Sequence, residues 1–504
     1  MKPVTQYVLE SIIDGELPES FSLDDYRNQT ATLAFSDGAQ DGITFFHTNM
    51  TSDQFLISYL VKLFSTDCKY KKGERVKLIN EYLSSSDIHI LSSIDELRAQ
   101  LSDDHKIDRE MVFQIAYELV MASEHIEAVK LGLSLLDLFY HYEQVAGLVE
   151  TVLLLALCEE FTLYINTFLI DSLKDPNKIR FRLARHTKGW GKIFLVRSLE
   201  NDSPEINKWL LEEGFENDVS SGYLANNIVE KTDYLSYITN CNDEHSFHNI
   251  CQVISGLVFE GFYFDHPHIE LIEAFVELYD TFKDNREYYL TVYPVLLWCN
   301  DFGHQDLEEM ILYYLSNEYA ENKLREFFRK SEETIETMDL INLAKKIDLD
   351  ISEAAMEKLK KDPIRNAVVI DYLMDNGFLE EVIELLDEPV DLSGITGQVE
   401  NIFNYHPIEG VLRAIEEYPY VGEQYVVAAL KCRYMNIRSY GLGVIENWLS
   451  LEGVPYYDLS EEIVEALNWL HEHETVKANR EKLDDIMDIE EDLSMYDDGI
   501  SWVS

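Results

Sequence analysis

From about residue 52 onward, apolar residues recur at intervals of three and four positions, which is the period of an amphipathic helix. Residues 310–328 and 463–473 show this spacing most clearly. Prolines fall where helices could begin, as at Pro204 after Ser203, because proline fits the first turn of a helix. The pattern indicates no sustained set of strands beyond residue 60, and it predicts an all-α fold.

The first fifty residues have a different pattern. Residues 32–47, TLAFSDGAQDGITFFH, contain two short apolar runs beside Asp-Gly pairs. Such runs around turn residues predict a β-hairpin. We therefore expect residues 1–51 to form a small N-terminal cap that contains this hairpin.

A weak internal repeat indicates how the helices are arranged. Residues 208–215, 371–378 and 447–454 each contain an aromatic residue followed by Leu, with Gly four positions after the Leu. We expect each glycine to end a helix in the left-handed conformation. The three glycines are 163 and 76 residues apart, close to multiples of about 40, the period of HEAT and armadillo arrays. The sequence thus predicts a HEAT/armadillo-like α-solenoid of stacked helix pairs over residues 52–480, with a break between two lobes near 330–365.

Charge narrows the choice of partners. The chain has 94 acidic residues against 41 Lys and Arg, and its net charge is −53. Such a field repels nucleic acids and anionic membranes and attracts basic proteins. Six scattered cysteines are typical of reduced thiols. The N-terminus does not read as a signal peptide, and the longest apolar run, 152–158, is far shorter than the roughly 20 residues of a membrane span. We expect a cytoplasmic protein with a protein partner.

Sequence signatures of catalysis are missing. The chain contains neither a phosphate-binding Gly-rich loop ending in Lys-Ser/Thr nor a Gly-x-Ser-x-Gly nucleophile elbow. One group has side chains of the kinds that bind zinc, and its members are Cys241, His245, His248 and Cys251. The first three would share a helix face, with further ligands from His266 or His268. The alternative is a pair of buried cysteines beside two partly exposed histidines. We favour the alternative, and we expect no metal, no cofactor and no catalytic residues.

Residues 178–197 reverse the charge of the chain, with seven Lys and Arg and no acid. We expect Gly189 to end one helix and Gly191 to open the next, with Trp190 packed between them. The N–H groups at the start of the second helix would then form an anion site. The candidate partner-binding residues are Lys178, Arg182, Arg185, His186, Lys188, Trp190, Lys192 and Arg197.

Three interpretations of this basic segment remain open. Its cations could neutralise neighbouring acidic helices. They could instead capture an acidic partner or the chain's own acidic tail, residues 481–504. Nucleotide or nucleic acid binding is the third, and the surrounding negative field opposes it.

Residues 186–225, together with DGELPESFSL and SDGAQDGITFFH near the N-terminus, resemble a family of uncharacterised bacterial proteins from gut Firmicutes. Members are often labelled limonene hydroxylase, and the resemblance covers most of the first 260 residues. The label implies an oxygen-activating cofactor. A haem enzyme of this kind needs a Cys ligand in a Gly-rich setting, and a flavin enzyme needs a dinucleotide fold. The sequence has neither, so it does not support the label, and the family supplies no catalytic residues to transfer.

Together these features predict a bacterial, cytoplasmic scaffold that binds proteins through an acidic α-solenoid and engages a basic or extended partner. One alternative is an inhibitor or immunity-type protein that masks a basic target such as a nuclease. The other is an enzyme with an unrecognised metal site.

Overall fold

The computed structural model describes residues 2–26, 35–84, 88–259, 269–363, 365–386, 407–432 and 434–487. Throughout these ranges the regular elements are helices, accompanied by two isolated β-bridges. The predicted all-α class is therefore confirmed. Within the same ranges, no helix combines the length and the apolar character needed to cross a membrane.

The chain divides into two compact units, Met1–Leu278 and Tyr279–Ser504. The boundary lies N-terminal to the interval 330–365, where the sequence places a break. The described helices of the first unit are α1 Val4–Ser11, α2 Ala39–His47, α3 Gln54–Phe64, α4 Lys72–Ser84, α5 Ile94–Asp103, α6 Arg109–Ala122, α7 Ile126–Leu135, α8 Leu148–Leu155, α9 Glu159–Phe168, α10 Pro176–Ala184, α11 Gly189–Ser198, α12 Pro204–Glu212, α13 Gly222–Lys231, α14 Tyr234–Thr239, α15 Glu244–Phe259 and α16 Ile269–Glu277.

The described helices of the second unit are α17 Tyr279–Phe282, α18 Arg286–Phe302, α19 Gln305–Leu315, α20 Glu318–Lys330, α21 Thr334–Lys346, α22 Ser352–Lys361, α23 Ile370–Asp375, α24 Leu379–Leu386, α25 Pro407–Ile415, α26 Glu423–Leu430, α27 Met435–Glu452, α28 Glu461–His473 and α29 Lys477–Ile486.

The β-hairpin predicted over residues 32–47 is wrong where the structure describes it, because Ala39–His47 form helix α2. Residues 32–34 lie outside the described ranges. Gly38 is a turn residue, with φ of 72°, directly before the helix. Gly42 is inside the helix, and a Cβ there would lie 2.2 Å from Cε3 of Trp190. Gly42 therefore allows close packing against Trp190. An Asp-Gly pair looks the same in the sequence whether the glycine forms a turn or a close helix contact.

Helix starts follow the local capping chemistry. Ser203 directly precedes Pro204, the first residue of α12, and its hydroxyl accepts a hydrogen bond from the Ile206 N–H. The predicted start of α12 is therefore confirmed. The helical stretch predicted at 310–328 forms two helices, α19 and α20. Asn317 separates them, since its side chain accepts hydrogen bonds from the first N–H groups of α20.

The three repeat glycines end helices in two different ways. Gly377 and Gly453 have φ of 87° and 67°, so the predicted left-handed conformation is confirmed at both. Gly214 does not have a positive φ, and the prediction is wrong there. Its N–H donates to the Trp209 carbonyl at 2.8 Å, and a Cβ would lie 2.7 Å from Cα of Leu210. Glycine is needed at 214 because the chain folds tightly onto the preceding turn.

The helices contact close neighbours along the chain. Consecutive helices α6 and α7 pack together, and Gly132 allows a close approach because a Cβ there would lie 2.8 Å from the Ala116 carbonyl oxygen. Next-but-one helices also contact each other. In the first unit this joins α7, α9, α11, α13 and α15 in succession, and in the second unit it joins α23, α25, α27 and α29.

A buried ion pair fastens the end of the second unit. Arg438 on α27 donates to both carboxylate oxygens of Glu474, at 2.7 Å from Nε and 2.9 Å from Nη2. Burial opposes ionisation of Glu474, but the bonds from Arg438, the Val476 N–H and Asn479 lower its pKa to about 2. This carboxylate therefore stays charged and holds α27 near the start of α29.

Two glycines on α27 test the helix-end assignment. Gly453→Ala should destabilise the second unit by about 1–2 kcal/mol, because alanine is strained in the left-handed conformation. Gly443 is inside the same helix, where a Cβ would make only an ordinary 3.6 Å contact with Lys482. Gly443→Ala should therefore stabilise the unit by about 0.5–1 kcal/mol. Urea unfolding followed by circular dichroism measures both, and shifts of the same sign would contradict the assignment.

Candidate functional site

The basic segment, residues 178–197, forms parts of two helices and the connection between them. Helix α10 ends at Ala184, and Gly189, with φ of 46°, begins α11. The prediction that Gly189 ends the first helix and Gly191 opens the second is therefore wrong. The first helix ends five residues before Gly189, and Gly189 itself opens the second. Trp190 is buried, at 4% exposure, in the first turn of α11.

The N-terminus of α11 binds a carboxylate of the chain itself. Oε2 of Glu159, at the start of α9, accepts a hydrogen bond of 2.8 Å from the Trp190 N–H. Burial raises the pKa of Glu159 to about 7, although hydrogen bonds from the Trp190 and Gly191 N–H groups act to lower it. The helix N-terminus at which the sequence predicts an anion site is therefore in contact with a glutamate of the chain itself, and binding of an outside anion there stays a prediction.

Both glycines of the Gly-Trp-Gly motif make room for this glutamate. A Cβ on Gly189 would lie 2.1 Å from Oε2 of Glu159. A Cβ on Gly191 would lie 2.9 Å from Oγ1 of Thr162, one turn further along α9. Any larger residue would separate α9 from α11, so the motif is a packing element and not a phosphate loop.

Trp190 connects α11 to α2 and α13. Its ring lies over Gly42, and ring centroids place it 4.8 Å from Tyr223 and 5.9 Å from Phe46. Nε2 of His47 and the Tyr223 hydroxyl are 2.6 Å apart. The two motifs that carry the family resemblance, around residues 36–47 and 186–225, are therefore in direct contact.

Two polar side chains of the basic segment contact the N-terminal region. Nδ1 of His186 is 2.9 Å from Oε1 of Glu16, and Nζ of Lys188 is 3.0 Å from Oε1 of Glu19. The hydrogen bond between Lys188 and Glu19 raises the pKa of the lysine and lowers that of the glutamate. Pairs this exposed contribute little stability each. They show that carboxylates of the chain itself already contact the basic segment.

The other candidate residues contact different neighbours. Lys192 donates to the Glu213 carbonyl at 2.8 Å, and burial lowers its pKa. Arg197 lies over the Phe46 ring at 4.9 Å, and Arg185 over Phe181 at 5.6 Å. Lys178 and Arg182 are exposed on α10. The structure therefore spreads these side chains over several surfaces instead of directing them to one bound anion.

Next to Glu159 lies a buried ion cluster that the sequence interpretation missed. Nζ of Lys130, on α7, is 2.7 Å from Oδ2 of Asp41, 2.8 Å from Oε1 of Glu127 and 2.6 Å from Oε1 of Glu160. The side chains of Lys130 and Asp41 are only 2% and 3% exposed. One ammonium group thus contacts three carboxylates, of which Asp41 and Glu160 are buried and Glu127 is 15% exposed. This set of four is called the Lys130 cluster.

The Lys130 cluster shifts the pKa values of Asp41 and Lys130. Burial raises the pKa of Asp41 to about 7, although the Lys130 ammonium acts to lower it, and Glu127 and Glu160 raise it further. Burial opposes a charge on Lys130, but the three carboxylates raise its pKa well above the usual value. Its ammonium also lies 5.6 Å from the centroid of the Tyr164 ring.

Backbone groups extend the cluster to other segments. Oε2 of Glu160 accepts a hydrogen bond from the Gly38 N–H, and Oε2 of Glu127 accepts one from the Ile90 N–H, both at 2.9 Å. The cluster therefore joins α2, α7, α9 and the chain before residue 91. The sequence did contain a signal for this cluster, because Lys130 is the single Lys or Arg in the mostly apolar stretch 126–136.

The candidate zinc ligands do not form a metal centre in the structure. Cys241 precedes α15, so it does not share a helix face with His245 and His248, and its Sγ contacts the Asp243 carbonyl at 3.7 Å. Cys251 is buried and His245 is exposed. Among the described residues, no group of three or more Cys, His, Asp or Glu side chains could hold a metal ion. His266 and His268 lie outside the described ranges.

Most of the acidic tail, residues 488–504, also lies outside the described ranges, and α29 accounts for its first part. Docking of the tail on the basic segment stays a prediction. Comparison with known proteins identifies no matching family model and no curated protein with significant similarity. The chemistry assembled in this region is carboxylate binding. Helix N–H groups bind Glu159, His186 and Lys188 contact Glu16 and Glu19, and Lys130 binds the carboxylates of its cluster.

Loss of the central cation tests the Lys130 cluster. Lys130→Met should destabilise the first unit by about 3–5 kcal/mol, because the buried carboxylates of Asp41 and Glu160 would be left without this cation. Lys77 makes an exposed pair with Glu81 at 3.5 Å, and Lys77→Met should change stability by less than about 0.5 kcal/mol. Chemical unfolding at pH 7 measures both. Equal effects would show that the cluster does not hold the unit together.

The pH dependence of stability tests Glu159. Its pKa is raised from 4.5 to about 7 in the folded chain, so the native state binds the proton more tightly than the unfolded state. Stability from this group is complete below pH 4.5 and is lost as pH rises to about 7. Glu159→Gln cannot ionise and should therefore gain up to about 3 kcal/mol relative to the wild type between pH 4 and pH 8. Glu150→Gln, an exposed control on α8, should stay parallel to the wild type, and a parallel curve for Glu159→Gln would refute the assignment.

Proposed function

We propose that this chain is a protein-binding scaffold of the HEAT or armadillo-like type. The observation that carries the proposal is the succession of next-but-one contacts, from α7 to α15 and from α23 to α29. In helical-repeat arrays, each helix pair buries its apolar face against the next pair, which produces this succession. Such arrays present extended surfaces to protein partners.

The proposed partner is a basic protein. The net charge of −53 favours it through long-range steering and surface complementarity. Within the basic segment, Glu16 and Glu19 contact His186 and Lys188, and Glu159 accepts a hydrogen bond from the Trp190 N–H. The exposed Lys178 and Arg182 remain available to contact carboxylates at the edge of the partner.

The six cysteines are free thiols, which favours a cytoplasmic location for this function. An inhibitor that masks a basic enzyme, such as a nuclease, is a special case of the same proposal, because it uses the same acidic surface. Kinship with the bacterial family named above is also part of the proposal and rests on residues 14–23, 36–47 and 186–225.

Affinity capture tests the function. The immobilised full chain is incubated with native bacterial lysate at about 50 mM salt and eluted at about 500 mM, where screening removes most long-range attraction. We expect a basic protein that elutes at high salt, binds at a fixed stoichiometry when purified, and is not captured by an unrelated protein of similar negative charge. Recovery of the same proteins on both resins would contradict specific binding.

A further inference from the structure

Two packed helices of the second unit, α18 and α21, leave apolar side chains in water. Ile335 is 75% exposed, Met338 41% and Leu297 39%. Single exposed apolar residues are ordinary, but three on adjacent helices indicate a contact surface. Ile335, Met338 and Asp339 are spaced by three and four residues and thus share one face of α21.

Tyr293 connects the faces of the two helices. It lies one turn before Leu297 on α18, so both residues belong to the same face. Burial raises the pKa of its hydroxyl, Asp339 raises it further, and the Asn342 side chain lowers it. The charge of Asp339 thus acts on Tyr293 across the packed helices α18 and α21. We call Tyr293, Leu297, Ile335, Met338 and Asp339 the α18–α21 face.

Asp339 gives this surface a charge preference. Its side chain is half-buried on the same helix face as Ile335 and Met338, and burial raises its pKa to about 6. No cation offsets this effect, and the described residues provide no ion pair for Asp339. A partly desolvated carboxylate in an apolar surface gains strongly from a cation that arrives with its own apolar neighbours.

We infer that the α18–α21 face is a docking surface for a basic amphipathic segment of a partner protein. A Lys or Arg side chain of the segment pairs with Asp339, and its aliphatic side chains cover Leu297, Ile335 and Met338. This inference rests on the proposed protein-binding function and adds the place where the partner binds and the chemistry that is recognised. It does not involve the basic segment, which lies in the first unit.

A designed peptide tests the inference. The probe is a fluorescent 15-residue amphipathic helix of Leu and Lys, titrated with the full-length chain and followed by anisotropy. A matched peptide has Glu in place of Lys. Asp339→Asn should weaken binding of the Lys peptide about tenfold, because a charge-assisted contact is lost. Asp306 is exposed on α19, and Asp306→Asn removes the same charge but should change affinity by no more than about twofold.

Ile335→Glu separates docking from general electrostatic attraction. The substitution makes the chain more acidic, so unspecific attraction predicts tighter binding of the Lys peptide. Docking on the α18–α21 face predicts binding at least tenfold weaker, since a charge is placed in the apolar contact. Thermal unfolding of each variant confirms that the fold is retained, and Asp339→Asn should be no less stable than the wild type because it removes a partly buried charge.

Two results would overturn the inference. If Asp339→Asn and Asp306→Asn change the affinity equally, or Ile335→Glu strengthens binding, the peptide binds elsewhere and only the location is wrong. In that case the proposed binding of basic proteins stands. If the wild type binds the Glu peptide as tightly as the Lys peptide, the face does not select a cationic occupant, and a neutral partner or a second copy of the chain is indicated.

Discussion

A buried ammonium group joins three helices of the first unit. Within the described ranges, Lys130 is the one ammonium group that contacts Asp41, Glu127 and Glu160, which lie on α2, α7 and α9. A buried ion cluster adds little net stability compared with apolar packing, but it strongly disfavours any arrangement in which one partner is missing. The position of α2 follows from this constraint. Asp41 has to reach Lys130, and Gly38 and Gly42 then lie against α9 and α11.

The adjacent glutamates Glu159 and Glu160 on α9 contact different neighbouring helices. Glu160 points to Lys130 and the Gly38 N–H, whereas Glu159 accepts hydrogen bonds at the N-terminus of α11. Successive residues on a helix are about 100° apart, so two neighbours can serve two different contacts. Both connections protect a carboxylate from water. The N–H groups at the start of α11 thus bind a glutamate inside the chain, and His186 and Lys188 contact Glu16 and Glu19 at the surface.

The sequence was sufficient to predict the helices and several of their ends, because capping is local. Ser203 before Pro204 and Gly453 after α27 act within one turn, and both were confirmed. The helix α2 was missed because Gly42 meets a ring, Trp190, that is distant in the sequence. The Lys130 cluster was missed for the same reason, since its residues span 120 positions and only the pairing of Glu127 with Lys130 is local. Local rules cannot bring together groups that only tertiary packing makes neighbours.

Scarcity of cations explains why buried carboxylates of this chain differ. With 94 acidic residues and 41 Lys and Arg, not every buried acid can have its own cation. Glu474 accepts hydrogen bonds from several donors and has a pKa of about 2, and Asp41 shares one lysine and has a pKa of about 7. Asp339 has no partner cation among the described residues and a pKa of about 6. Glu474 and Asp41 each join helices of their own unit, so their burial has a structural role. Asp339 forms no ion pair with the described residues of its unit, and it shares a helix face with the exposed Ile335 and Met338. A cation supplied by another protein would complete its environment, as Arg438 does for Glu474.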